Sequence, residues 1–115
     1  MRENEKKALA YLGLAARAGR VTVGVPLCCE ALRKRAGSTK KEPVILLFAA
    51  DASAATKKRI ADKAAYYDVT ATELSLDCTE LATAVGKRNG SVAAVLVSEP
   101  HLALAITELY QKEEA

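Results

Sequence analysis

Two stretches of this 115-residue chain are apolar without interruption, and they restrict its fold more than any other feature. Pro43 to Ala50 and Val92 to Val97 are each of strand length. Neither alternates with polar residues, as a strand with one wet face would. Continuous apolar strands belong in the middle of a sheet that is covered on both sides.

The segments around them supply the cover. Residues 4–18 read as a helix, with Leu9, Leu12, Ala16 and Gly19 at helical spacing and Gly19 where a C-terminal cap would sit. Arg20 to Val23 is a short strand, Gly24 breaks the chain, and Pro26 stands where a helix would take its first residue. That helix would run to Ala36, burying Leu27, Ala31 and Leu32, before Gly37 ends it and a basic turn leads to Glu42. Asp51 or Ser53 caps a helix to about Tyr67, and Thr70 to Leu74 is another short strand. Asp77 or Thr79 starts a helix that ends near Gly86, and Asn89-Gly90 is a turn. Pro100 opens the last helix, with Leu104 and Leu109 expected inward. Strands that alternate with helices in this way predict an α/β protein, a sheet between two helix layers, formed as one domain over residues 1–115.

Half the residues are apolar, so the chain can bury a core without disulfide or metal staples. No run reaches the roughly 18 apolar residues of a membrane span, and no apolar signal core follows Met1-Arg2-Glu3. A cytoplasmic protein is expected. Cys28, Cys29 and Cys78 are odd in number and lack CxxC spacing. They read as small apolar residues kept reduced, and with a single histidine, His101, no metal or cofactor is expected.

The formal charge is +3, unevenly spread. Residues 1–42 hold ten Lys and Arg against four Asp and Glu, residues 43–90 six against six, and residues 91–115 one against four. The basic excess in the first third suits an anionic partner, although an ordinary solubilising surface would look the same.

Enzyme motifs fail on inspection. Gly19 to Gly24 has the glycine spacing of a phosphate loop, but the Lys and Ser or Thr that must follow are Val25 and Pro26. No dinucleotide fingerprint follows a strand. His101, beside Pro100, reads as a surface or capping residue. A small hydrolase on this fold would have no motif to support it, so no catalytic residues are assigned.

Three elements could instead receive an anion. The helix start at Gly24-Val25-Pro26-Leu27 offers free N–H groups and partial positive charge, and Gly24 allows close approach. Asp51 to Arg59 places Lys57, Lys58 and Arg59 in the first turns of a helix, where cations oppose the dipole. Lys87-Arg88-Asn89-Gly90 is a basic turn that could follow a phosphate backbone. Each also reads as an ordinary turn or solvated face.

Taken together, Leu12-Gly13-Leu14-Ala15, Arg17-Ala18-Gly19, Gly24, Asp51-Ala52-Ser53, Thr56-Lys57-Lys58, Leu81 and Gly86-Lys87 resemble the ribosomal L-seven-Ae/L-thirty-e family, especially its short bacterial members. The resemblance runs from about residue 7 to 107 and is most specific from Asp51 to Lys58. It implies a three-layer α/β/α sandwich around a mixed four-stranded sheet. It also implies binding to kink-turns, sharply bent RNA duplexes built on sheared G·A pairs. The start of the second helix would enter the widened groove there, and the loop before the last strand would cover a flipped-out base. Those parts fall on Gly24 to Leu27 and on Lys87 to Gly90. Where the family carries Asn, Glu and, three residues on, Lys, this chain has Pro26, Leu27 and Glu30.

The expected function is non-catalytic binding of structured RNA, a kink-turn or ribosomal RNA, by a monomer associated with the ribosome or another ribonucleoprotein. The expected contacts are Arg20, Gly24, Val25, Pro26, Lys57, Lys58, Lys87, Arg88 and Asn89. The alternative is the same fold with kink-turn recognition lost, serving as a protein-interaction module through Leu27 and Cys28.

Overall fold

In the computed structural model, which describes residues 3–39, 41–87 and 89–114 with side chains as far as 111, the two apolar runs become the central strands. The element order is α1 Glu3–Arg17, β1 Val21–Val23, α2 Val25–Ala36, β2 Ile45–Phe48, α3 Ala54–Tyr66, β3 Thr70–Glu73, α4 Cys78–Ala84, β4 Ala94–Val97 and α5 Pro100–Glu114. The sheet order is β1-β4-β2-β3. β4 runs antiparallel to both its neighbours, and β2 and β3 are parallel, so the sheet is mixed.

Strand side chains alternate between two cores. Ile45, Leu47, Val95 and Val97 point into a cluster with Ala8, Leu12 and Ala15 of α1, Leu81 of α4 and Ala103 and Ile106 of α5. Leu46, Ala94 and Leu96 point the other way, onto Cys28 and Leu32 of α2 and Ile60 and Ala64 of α3. Both faces are thus dry, which is why these strands carry no polar alternation. The architecture is the expected three-layer α/β/α sandwich.

Helix boundaries follow local chemistry. α1 ends with Gly19 at φ 72°, where Arg20 N–H donates to the Ala15 carbonyl at 2.9 Å and Gly19 N–H to Ala16 at 3.1 Å. Of the two candidate caps for α3, Ser53 does the work: its hydroxyl accepts Thr56 N–H at 3.1 Å. Asp77 caps α4 in a capping box with Glu80.

Two expected core residues face outward. Leu27 is 56% exposed and Leu104 45%. α2 begins at Val25, one residue before Pro26, and its buried stripe is Cys28 and Leu32 at four-residue spacing, with Val25 and Ala31 beside it. Leu27 lies about 100° round from Cys28. In α5 the core positions are Ala103 and Ile106, with Leu109 partly buried against the cluster. α1 presents Ala8 and Ala15 to the same cluster, so a small residue, Ala103, takes the inward place there and Leu104 turns to solvent. In α1 itself the fully buried positions are Glu5, Ala8, Leu12 and Ala15, one step round from the Leu9 and Ala16 stripe.

Glu5 is the single buried charged side chain among the described residues. Its carboxylate accepts both the backbone N–H of Ser75, at 2.9 Å, and the Ser75 hydroxyl, at 2.6 Å. The start of α1 is thereby tied to the turn after β3. Ser75 is itself exposed, so its donors turn to water when Glu5→Ala removes both bonds, and the cost should be about 0.5–1.5 kcal/mol, read as a lower urea midpoint with an unchanged slope.

Candidate nucleic-acid interface

β1 and β2 point the same way, β3 lies parallel to β2, and α2, α3 and α4 follow them, so all three helices start at one end of the sheet. β4 is antiparallel and enters from that same end, which brings the loop of residues 85–93 beside the start of α2. The carboxyl ends of strands are where open α/β sheets place their ligands.

The start of α2 is built on Gly24. Its N–H donates to the Ala94 carbonyl at 2.9 Å, and its carbonyl accepts Cys28 N–H at 3.0 Å. Gly24 holds φ 96° and ψ 146°, a conformation that L side chains rarely adopt. No side chain caps α2, no acid lies in its first turn, and Pro26 at its second position has no N–H. The N–H groups of Val25 and Leu27 and the positive helix end are left to an external acceptor. Apart from its own chain neighbours, no residue comes within 4 Å of the place where a Gly24 Cβ would stand, so this backbone is open to close approach.

In front of it lies a groove of about 670 Å³, lined by Val21, Thr22 and Val23 of the edge strand β1, Leu27 of α2, and Val85, Lys87, Ser91 and Val92 of the facing loop. It continues on one side past Ala16 and Val85 into a trough between Arg17 and Gly86. On the other side it passes Thr22 and Leu27 to Glu30 and Lys34. The Glu30 carboxylate is 3.3 Å from the Lys34 ammonium, so the one acid in this trough is matched by its own neighbour. The opposite wall is held by Gly86, at φ 83°, and by Lys87 N–H donating to the Ala82 carbonyl at 2.8 Å.

The sequence-derived residues are therefore not one cluster. Gly24, Val25, Pro26, Lys87 and Asn89 gather at this end of the sheet, with Asn89 exposed in its turn at φ 59°. Arg88 lies outside the described residues. Lys57 and Lys58 start α3 at the same end, but β4 and β2 lie between β1 and β3, which puts those two strands about 14 Å apart at the usual strand spacing. Lys57 is also engaged, 3.1 Å from the Glu73 carboxylate on β3. Arg20 lies at the far end of the sheet, its guanidinium donating to the Ser98 carbonyl at 2.9 Å while Ser98 N–H donates to the Arg20 carbonyl. Arg17, Lys34, Thr22 and Ser91 line the trough but were not among the sequence candidates. The chain separates them by up to seventy-odd positions, and no local pattern links the last turn of α1 to the loop before β4.

The Asp51 to Ser53 segment has a structural task. Asp51 accepts the N–H of Cys78, the first residue of α4, at 2.8 Å. Hydrogen bonds from the Cys78 thiol and backbone hold the Asp51 carboxyl below its usual value of 3.8. Cys28 is buried, with its thiol donating to the Thr22 carbonyl at 3.4 Å, and burial pushes its pKa up to about 12, so it stays an unreactive thiol. His101 is exposed, its Nδ1 3.4 Å from Glu99, whose carboxylate accepts Leu102 N–H at 2.7 Å. Among the described residues no cluster could hold a metal ion, and no helix is long and apolar enough to cross a membrane.

Comparison with known proteins places the chain. A protein of Enterococcus faecium named "RNA-binding protein YlxQ" is 36% identical over 84 residues, covering 73% of this chain and 75% of that protein. The chain belongs to the YlxQ family. No family model matches it. A Bacillus halodurans protein of unknown function superposes with a TM-score of 0.77 at 24% identity, covering 91% of this chain and 97% of that one. A Giardia lamblia protein, "15.5kD RNA binding protein", superposes with the same TM-score at 13% identity, covering 99% of this chain and 90% of that one. At these identities the two structures establish a shared fold.

Two outcomes test the geometry. Gly24→Ala meets no steric neighbour, so its cost is backbone strain alone, about 1–3 kcal/mol, measurable by urea denaturation. For Asp51 the folded carboxyl titrates below its unfolded value, so its contribution is present above the unfolded pKa and is lost as pH falls through the folded one. Asp51→Asn should melt below the wild type at neutral pH, and the gap should narrow in thermal scans as the pH is taken progressively below 3.8.

Proposed function

We propose that this YlxQ-family protein binds structured RNA without catalysing a reaction, and that its ligand is a kink-turn or a related bend in ribosomal RNA. The observation that carries the reading is the uncapped, acid-free start of α2, which opens on a groove with Lys87 on its far wall. A helix end of that kind accepts phosphate or a base-edge acceptor, and a groove of about 670 Å³ has room for a nucleotide of a bent strand. The name of the Enterococcus relative and of the Giardia structure support RNA as the ligand class, and the resemblance to the L-seven-Ae/L-thirty-e family supports the kink-turn.

Pro26 and Leu27 have no polar side-chain group to give a guanine. Recognition then rests on shape: the Gly24 to Leu27 backbone meets the bent strand, Leu27 packs on sugar or base, and Lys87, Arg88 and Asn89 hold the opposite strand. Lys34 offsets Glu30, so the acid is not a barrier to a polyanion. Lys57, Lys58 and Arg20 are not needed at this groove. On this reading the protein acts as a cytoplasmic monomer on the ribosome or another ribonucleoprotein.

The exposed Leu27 favours a second reading, in which the same end of α2 docks another protein. A titration separates the two. The ligands are a kink-turn RNA and the same RNA with Watson–Crick pairs in place of its G·A pairs, each at two salt concentrations. Selective, salt-sensitive binding to the kinked form is expected, with Lys87→Ala lowering the salt slope by about 1. Equal weak binding to both, or none, would discard the RNA reading for this groove and leave Leu27 to a protein partner.

A further inference from the structure

The outer face of α3 shares no lining residue with the groove at α2. The buried side of α3 is Ile60 and Ala64. Its other side presents Lys58, Arg59, Asp62 and Lys63, and then Tyr66, around a shallow depression of about 650 Å³. Tyr66 is 80% exposed, the most exposed large side chain of its kind among the described residues. Its ring stands edge-on to that of Tyr67, with centroids 4.8 Å apart and planes at 86°, so one side chain props the other. Lys58, Arg59 and Lys63 form no ion pair among the described residues, although Asp62 shares the face.

We propose that this face is a second RNA-contact surface, one that takes an unpaired strand by stacking a base on Tyr66 and holding its phosphates with Lys58, Arg59 and Lys63. Three unmatched cations against one acid call for a polyanion. A planar ring held by a neighbour and open to solvent offers a stacking platform that any base can use. Lys58 and Tyr66 are eight residues apart, about 12 Å along the helix axis, room for a short run of nucleotides. The position also suits a single RNA. α2 and α3 share one layer, and both begin at the same sheet end, so a strand leaving the groove at α2 can continue along α3. An acidic protein segment is the competing occupant, but Ala55 and the Tyr66–Tyr67 pair line a shallow depression rather than an enclosed pocket that could bury an anchoring side chain.

The test uses a probe that contains no kink-turn: a labelled oligouridylate of about twelve nucleotides, within the range of single-strand sites. The chain has no tryptophan and only four tyrosines, so stacking on Tyr66 is also readable as quenching of tyrosine fluorescence. Oligouridylate should bind the wild type, Tyr66→Ala should weaken it about tenfold, and Tyr66→Phe should restore it. Each of Lys58→Ala and Arg59→Ala should lower the salt slope by about 0.7, one phosphate on a single strand. These residues are solvent-facing, so the variants should fold. Absence of oligouridylate binding, or binding indifferent to Tyr66→Ala, overturns the proposal and leaves the face to an acidic protein. If kink-turn selectivity is absent while Tyr66-dependent oligouridylate binding is present, the reading of the α2 groove falls and this one stands.

Discussion

The pairing of β2 with β4 is the constraint from which the rest of the molecule follows. Leu46 lies opposite Leu96 and Ile45 opposite Val97, and every residue of both strands except Phe48 is buried. A slip of one residue would turn Leu46 and Leu96 into the core that Ile45, Leu47, Val95 and Val97 occupy, and both helix layers would lose their fit. Because β4 runs antiparallel to strands that all lead into helices at one end, the loop that feeds β4 must also lie at that end. The groove is a consequence of this single arrangement: one wall is the start of α2, the other the loop between α4 and β4, and the floor is the edge strand that β4 recruits.

The electrostatics are arranged by the same frame. Asp51, from the end of β2, crosses to the first N–H of α4, and Asp77 and Glu80 complete that helix start. α4 is therefore closed to an outside anion, and α2 is open. Lys57 is held by Glu73, whereas Lys58, Arg59 and Lys63 stand unmatched on the outer face of α3. Two positively disposed surfaces result, one made of backbone at a helix end and one of side chains along a helix.

The elements were legible in the sequence because each rests on local chemistry: the two apolar runs, Gly19 closing α1, Ser53 and Asp77 opening α3 and α4, and Pro100 starting α5. The misjudged positions, Leu27 and Leu104, are leucines on helices whose core stripe is set by small residues, Cys28 and Ala103. Hydrophobicity points a leucine inward. Close packing of neighbouring layers can prefer the smaller residue one step away.

The candidate site was legible in part. Gly24 to Pro26 and Lys87 are each visible as a helix start and a basic turn, and both lie at the end of the sheet where Leu27 and Lys87 line one groove. Arg20 looked equivalent to them on charge alone, but a strand only three residues long puts it at the other end of the sheet, donating to Ser98. The alternation of elements, their caps and the two buried strands can be read along the chain, since these depend on neighbouring residues. Which cations share a surface, that Glu30 is offset by Lys34 beside the groove, and that Tyr66 lies exposed against Tyr67 among Lys58, Arg59 and Lys63 emerge from the packed fold. Those depend on strand order and on which face of each helix the core leaves in water.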